Sequence, residues 1–122
     1  MTPAKWISEL FRCIDGNDTE EFLSYLTHDA LFRFENAPAV QGQAAIRGAV
    51  EGFSAGIKRS RHELRGHWAC GDTLICQGEV TYTRLDAGQV TLPFVNIFAM
   101  KGERIKQYLI YIDITPLYAP AM

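Results

Sequence analysis

Hydrophobic residues near the start of the chain recur at the spacing of an α-helix. Thr2-Pro3 is a cap followed by proline at the first helical position, where the missing N–H costs nothing. Apolar side chains then return every three or four residues until Gly16, which provides a stop. The pattern predicts a first helix with Trp6, Ile7, Leu10, Phe11 and Ile14 on its buried side.

A second helix and a short strand follow. Asp18 and Glu21 have the spacing of a capping box, and the helix that they open is expected to end before Asp29-Ala30. The segment Leu31–Glu35 alternates and is rich in aromatic residues, which predicts a strand that Asn36-Ala37-Pro38 breaks.

A third helix is predicted from about Gln43 to Gly56. Ile46, Val50 and Phe53 recur there at helical spacing. Glycine also recurs at every fourth position, which we interpret as close approach of this helix to the sheet or a neighbouring element.

The second half of the chain alternates with period two, as strands do. Short turn sequences separate four runs, so consecutive hairpins forming a meander are expected. Helices grouped before strands predict one α+β domain over residues 1–122, with three N-terminal helices packed on a strongly curved, mainly antiparallel sheet around a central pocket. The predicted strands are Arg61–Cys70, Leu74–Arg84, Gln89–Met100 and Arg104–Asp113.

Two flanking segments are harder to assign from the pattern. Lys58-Arg59-Ser60-Arg61 is expected to be a solvated turn between helix and sheet, with an anion site as the alternative. The tail Ile114–Met122 has no charge and two prolines, and is expected to lie across the sheet, another subunit or the pocket mouth.

Polar residues set in apolar rows indicate where a site could lie. Strict alternation places Asn96 between Phe94 and Phe98, and it places Asp113 after Tyr111 on one row of the last strand. Such polar groups must find partners, and a few convergent polar groups in apolar surroundings are typical of a ligand pocket. Asn96 could instead be a structural amide and Asp113 a turn cap.

Composition restricts the partners. A net charge of −2 argues against nucleic acid, which requires a concentrated positive face. No apolar run approaches the roughly 20 residues that a bilayer requires, and no signal pattern is present at the N-terminus. A small hydrophobic molecule is therefore the expected ligand.

The cysteines and histidines have no metal-ligand spacing. Three cysteines without a close pair predict free, mostly buried thiols in a reducing compartment, with the cytoplasm as default. No metal site, cofactor motif or nucleophile elbow is predicted. We interpret His28, His62 and His67 as ordinary surface or core histidines.

The order of these elements resembles the nuclear transport factor 2-like superfamily, with its cystatin-like α+β cone. Ketosteroid isomerases, limonene epoxide hydrolases and SnoaL-type polyketide cyclases belong to it, and the chain is most similar to uncharacterised SnoaL-like members. The resemblance implies a pocket between sheet and helices, and often a homodimer through the outer sheet face. The resemblance rests on four sequence segments: Asp29-Ala30, Gly42 before Ala44-Ala45-Ile46, the stretch from Leu92 to Phe98, and Tyr111-Ile112-Asp113-Ile114.

The resemblance also implies candidate catalytic residues. Against ketosteroid isomerases, the oxyanion-binding acid falls on Asn96, the partner tyrosine falls on Leu10, and the general base falls near Phe34 or Glu35. Asn96 could still donate a hydrogen bond to an oxyanion.

Two other groups imply different residues. Against limonene epoxide hydrolases, the last-strand aspartate matches Asp113, the Arg-x-Asp pair falls on Glu79 and Thr81, and a water-holding asparagine matches Asn36. Glu79 could equally be a solvated strand residue. Against SnoaL-type cyclases, Asp113 is the expected base, with its pKa raised by an apolar wall of Tyr111, Phe94 and Phe98.

Three functions are compatible with the sequence: a cofactor-independent isomerase, cyclase or lyase, a non-catalytic carrier of a small hydrophobic molecule, and a dimeric interaction module. The enzyme would use Asp113 or Glu35 as base and Asn96 as oxyanion donor. The remaining residues expected to contact the ligand are Phe34, Asn36, Phe53, Glu79, Thr81, Phe94, Phe98 and Tyr111.

Overall fold

The structure is a computed structural model that describes residues 2–118. Three helices pack on a six-stranded mixed, mainly antiparallel sheet, which confirms the predicted α+β class. The helices are α1 (Pro3–Asp15), α2 (Thr19–Ser24) and α3 (Gln43–Ala55). The strands are β1 (Leu26–Phe34), β2 (Val40–Gln41), β3 (Ile57–Cys70), β4 (Thr73–Arg84), β5 (Gln89–Lys101) and β6 (Arg104–Ile112), followed by a 3₁₀ turn, Thr115–Tyr118.

The strand order is β2-β1-β6-β5-β4-β3. β3 to β6 form the predicted antiparallel meander, and β1 joins its far side in parallel with β6. The first helix is confirmed: Pro3 begins it, Gly16 caps it, and its apolar side faces the core.

The second helix ends earlier than predicted. The Asp18 cap is confirmed, since its Oδ1 accepts a hydrogen bond from Glu21 N at 3.1 Å. The helix stops at Ser24 because the backbone of Tyr25 and Leu26 pairs with β6, where Ile105 N donates to Tyr25 O at 2.8 Å. This pairing with a distant strand overrides the local helical pattern.

The third helix lies where predicted but is loosely packed. Ile46 is its one fully buried residue among those described. A methyl group added at Gly48 or Gly52 would meet no atom within 4 Å, so the predicted close backbone approach is wrong there.

β3 begins earlier than predicted. The basic segment that was expected to be a turn is part of the strand, because Ser60 pairs with Tyr82 and Arg61 pairs with Thr81. Ser60 and His62 consequently lie on the helix-facing side of the sheet, in the same row as Tyr82 and Val80 respectively.

Extra residues at β-bulges change which side chains face inward. On β3 the register shifts between Leu64 and Gly66, and on β6 one extra residue, Lys106, lies between the residues paired with Met100 and Ala99. A single extra residue moves every later side chain to the opposite face. Beyond the bulge, the inward row of β6 is therefore Tyr108, Ile110 and Ile112.

The beginning of the tail packs on the domain. Leu117 is buried, and Arg84 Nη1 donates to its carbonyl oxygen at 3.5 Å. The remainder of the segment that was expected to cover the sheet or pocket mouth, residues 119–122, lies outside the described residues.

Candidate functional site: an apolar cavity with a histidine–carboxylate pair

A cavity of about 220 Å³ lies between α3 and the inner face of the sheet. Its walls are mainly apolar and aromatic side chains. None of the residues that line it, within the part of the chain that the structure describes, is Lys, Arg, Asp or Glu. The aromatic walls are Phe22, Phe32, Phe34, Phe53, Tyr82, Phe94 and Tyr108.

One wall of the cavity carries His62, which a carboxylate orients from behind. Asp15, at the end of α1, accepts three hydrogen bonds: from Ser60 Oγ at 2.8 Å, from His62 N at 2.8 Å and from His62 Nδ1 at 2.6 Å. Asp15 accepts from the backbone N–H of His62 with Oδ2 and from its imidazole with Oδ1. The imidazole is therefore fixed relative to the backbone of β3. A carboxylate at Nδ1 selects the Nδ1–H tautomer and leaves Nε2 as the proton acceptor.

Aromatic rings hold the imidazole in place. The ring of Phe11 stacks on His62 with centroids 4.7 Å apart, and the ring of Phe94 meets it edge-on at 5.5 Å. The side chains of His62 and Asp15 are 12% and 21% exposed, so the pair is largely removed from water but not sealed. An exchangeable proton can therefore still reach the site.

The phenol side chains of two tyrosines, Tyr82 and Tyr108, also line the cavity. Burial, followed by the charge of neighbouring groups that include Asp15, raises the pKa values of Tyr82 and Tyr108 well above their usual value. Both side chains consequently remain protonated at neutral pH. Each can donate a hydrogen bond to a ligand oxygen if its hydroxyl is turned to the cavity.

Asn96 is the polar member of an otherwise apolar row on β5. Its side chain is 2% exposed, and its Oδ1 is a buried atom without a hydrogen-bond partner among the described residues. The amide interacts with the thiol of Cys76 on β4, whose pKa burial raises to about 12. Asn96 therefore lines the cavity and carries a buried acceptor that no described residue satisfies.

Several residues predicted from the sequence meet at this cavity. Phe34, Phe53, Phe94 and Asn96 all line it. Phe98 does not: it is fully buried behind the wall, where its ring contacts Trp6 at 5.7 Å and Tyr108 at 4.8 Å.

The predicted orientation of Asp113 and Tyr111 is wrong. The bulge at Lys106 turns Tyr111 outward, where it is 51% exposed, and Asp113 is exposed just beyond the strand. Hydrogen bonds with Thr115 lower the pKa of Asp113, opposite to the predicted rise. The environment of Asp113 is thus that of a turn-capping acid rather than a base in an apolar pocket.

Glu35 and Asn36 lie beside the cavity and not in its wall. Glu35 has a positive φ of 56°, and its Oε2 accepts a hydrogen bond from Ile114 N at 3.3 Å. That contact attaches the C-terminal segment to the end of β1. Asn36 is exposed in the following turn, where Ala37 is the residue that reaches the cavity.

Glu79 and Thr81 face away from the cavity, on the outer side of the sheet. Glu79 accepts a hydrogen bond from Arg65 at 2.8 Å, and Thr81 shares a hydrogen bond with Thr91 at 2.9 Å. Because the inner row of β4 contains Val80 and Tyr82, alternation excludes their neighbours from the cavity.

The sequence analysis missed the most polar part of the site. The sequence pattern does not single out Asp15, and it gives His62 as an ordinary surface or core histidine because no metal-ligand spacing involves it. The sequence does contain one signal for this group. Ser60 and His62 stand at alternate positions, so both side chains lie on one face of the sheet if the basic segment is a strand.

Other kinds of site are not seen in residues 2–118. No group of three or more His, Cys, Asp or Glu side chains in that range is arranged to hold a metal ion. Within the same range, no helix combines the length and apolar character needed to cross a bilayer.

The chain belongs to the SnoaL-like domain family, whose sequence profile matches residues 7–108. This match confirms the resemblance on which the sequence analysis relied. No curated protein sequence matches the chain significantly.

Solved structures share the fold at low sequence identity. An NTF2-like protein of unknown function from Burkholderia pseudomallei is 14% identical with a TM-score of 0.85, covering 96% of this chain and 95% of its own. A candidate SnoaL-like polyketide cyclase from Jannaschia sp. CCS1 is 16% identical with a TM-score of 0.83, covering 98% and 93%. TerC, co-crystallized with polyporic acid, is 18% identical with a TM-score of 0.83, covering 96% of each chain.

Proposed function

We propose that this protein binds a small, mainly apolar, neutral molecule in its cavity and moves a proton on it with His62. The observation that carries the proposal is His62 Nδ1 at 2.6 Å from Asp15, with the imidazole in the wall of an apolar cavity. The reaction class would be a cofactor-independent isomerisation, cyclisation or elimination. The co-crystallization of TerC with polyporic acid supports small-molecule binding by this fold.

The chemistry follows from the arrangement of the pair. Asp15 holds the imidazole in one tautomer, so Nε2 is the nitrogen that would take a proton from a carbon acid or hydroxyl. Asp15 would stabilise the imidazolium that forms, and Tyr82 or Tyr108 would donate to the oxygen on which negative charge develops. The same groups return the proton at another position, so no external oxidant or reductant is needed.

Among residues 2–118, the lining of the cavity contains no charged Lys, Arg, Asp or Glu side chain, which supports a neutral ligand. An anion or cation transferred into such a cavity would lose its hydration without an opposite charge to replace it, which costs several kcal/mol. The second candidate function is a carrier without chemistry. The buried Asn96 Oδ1, which has no partner among residues 2–118, favours it because a ligand donor could satisfy that atom without any reaction.

The experiment is mass spectrometry of small molecules that co-purify under native conditions, followed by incubation of each with the protein in deuterated water. The wild-type protein should convert the bound compound or exchange its protons. His62→Gln should retain binding and lose at least about a hundredfold in rate, which is the low end for general acid–base catalysis.

His67→Gln is the matched control, because His67 is an exposed histidine on the same strand. Equal rates for His62→Gln and wild type would contradict the catalytic proposal. A compound that binds but is never converted would favour the carrier.

We also propose a homodimer through the outer face of the sheet. A continuous apolar row crosses four strands there, because Trp68 pairs with Ile75, Ile75 with Ile97, and Ile97 with Leu109. Trp68 is 57% exposed. A second copy of the chain would cover this row and remove it from water.

Analytical ultracentrifugation tests this association. The wild-type protein should sediment as a dimer at micromolar concentration, and Ile97→Lys should dissociate it by at least about a hundredfold, because a charge would be buried in the interface. Ala45→Lys, on the exposed side of α3, should leave the dimer intact. A monomeric wild type would contradict the proposal.

We propose the cytoplasm as the subcellular location, as the sequence also predicts. Cys13, Cys70 and Cys76 form no disulfide, and they are half-buried, exposed and buried respectively. Unpaired thiols favour a reducing compartment such as the cytoplasm.

A further inference from the structure

We infer that the ligand carries a neutral hydrogen-bond donor such as a hydroxyl group, and that Asn96 accepts the hydrogen bond from it. This inference rests on the proposed function, which supplies the neutral ligand, and it names the group by which that ligand is selected. It also reverses the role expected from the family resemblance, in which Asn96 would donate to an oxyanion.

The first support is the state of the Asn96 amide. Its Oδ1 is buried without a partner among residues 2–118, whereas the amide group interacts with the Cys76 thiol. The nitrogen is the donor that a sulfur can accept from, so the oxygen is the atom that remains. A buried acceptor without a donor is destabilising, and a ligand that supplies a donor removes the penalty.

The second support is the chemistry of the walls. A ligand donor can be neutral, as a hydroxyl or an amide N–H is, or cationic, as an ammonium is. Among residues 2–118, the cavity lining contains no carboxylate to balance a cation. A hydroxyl satisfies the Asn96 Oδ1 acceptor without bringing a charge into the cavity. The aromatic walls fit a ligand ring by edge and face contacts.

The position of Asn96 separates recognition from reaction. Asn96 pairs with Cys76 and His62 pairs with Val80, four positions further along β4. At about 3.3 Å per residue the two rows lie about 13 Å apart along the strands. Asn96 and His62 therefore lie at different positions along the sheet, and the hydroxyl bound by Asn96 is separate from the position at which His62 would act.

Three neutral probes with one ring each distinguish whether Asn96 accepts a hydrogen bond from the ligand or donates one to it. The probes are 4-ethylphenol, which can donate, 4-ethylanisole, which keeps the oxygen but not the proton, and 4-methylacetophenone, which only accepts. Isothermal titration with wild-type protein should give 4-ethylphenol an affinity about tenfold above the other two, the effect of one hydrogen bond to a buried acceptor. 4-Ethylbenzoate, an anion, should bind at least tenfold more weakly than 4-ethylphenol.

Asn96→Leu is the variant that isolates the acceptor, because leucine has nearly the same shape. The three neutral probes should then bind with affinities within about threefold of one another. The melting temperature of the empty protein should not fall, since the substitution removes an unsatisfied polar atom. The comparison of probes on the wild-type protein stands even if the variant does not fold.

Each outcome has a distinct meaning. Preference of the wild-type protein for 4-methylacetophenone would show that a ligand acceptor is selected, by Asn96 if Asn96→Leu abolishes the preference and by Tyr82 or Tyr108 if it does not. Equal affinities in the wild type would show that Asn96 selects nothing. Each of these results overturns the inference while leaving the proposed function in place. Failure of every neutral probe to bind would overturn both, because the cavity would then not be a ligand site.

Discussion

Gly78→Ala is expected to lower the free energy of unfolding by roughly 3 kcal/mol or more, the upper range for overpacking a well-packed interior. A Cβ at this position of β4 would lie 2.0 Å from the backbone oxygen of Glu63 and 3.1 Å from Cζ of Phe94. The oxygen belongs to the paired strand β3 and cannot move away without breaking the ladder. Phe94 could turn, but it would then leave the cavity wall.

Urea denaturation followed by circular dichroism measures this effect. Gly48→Ala is the matched control: its Cβ would enter open space on an exposed helix position, so it should raise stability by about 0.5–1 kcal/mol through reduced freedom of the unfolded chain. A Gly78→Ala protein within about 1 kcal/mol of the wild type would contradict the close packing of β3, β4 and Phe94 described above.

Asp15→Asn is expected to reverse the tautomer of His62 and to lower turnover by about a hundredfold to ten-thousandfold, the range attributed to acid–base catalysis. The backbone N–H of His62 can only donate, and it does so to Asp15 Oδ2 at 2.8 Å. The oxygen of the new amide must therefore take that position. Its NH₂ then faces His62 Nδ1, which must become an acceptor.

The consequence is a proton on Nε2, where the proposed base needs a lone pair. Long-range ¹H–¹⁵N correlation spectra of ¹⁵N-labelled protein report the tautomer without a substrate, and the rate is measured on the compound recovered from the cavity. Asp86→Asn is the control, because Asp86 is an exposed carboxylate in the β4–β5 turn. An unchanged tautomer with an unchanged rate would show that Asp15 does not position His62.

The base predicted from the sequence and the base proposed from the structure differ for a physical reason that concerns one residue. Alternation along β6 placed Tyr111 and Asp113 inward, and this would hold for a regular strand. The extra residue Lys106 reverses the parity, so the inward row becomes Tyr108, Ile110 and Ile112. A bulge depends on how two strands pair and leaves no strong mark in the sequence.

Local signals determined much of the architecture. Capping at Asp18, the stop at Gly16, the hairpin turns and the two periodicities were enough to predict the three helices, the meander and the α+β class, because these features depend on neighbours in the chain. The same alternation placed Asn96 and Phe94 on one inward row, which the structure confirms.

Contacts between distant residues decided the rest. The end of α2 was set by pairing of Leu26 with β6, and the candidate base arises only because the last residue of α1 meets Ser60 and His62 on β3, 45 and 47 residues later. No local pattern specifies such a meeting, since it depends on how the helix packs across the sheet. The sequence by itself thus determined the elements and the apolar row, and the tertiary structure decided which histidine faces the cavity and which acid orients it.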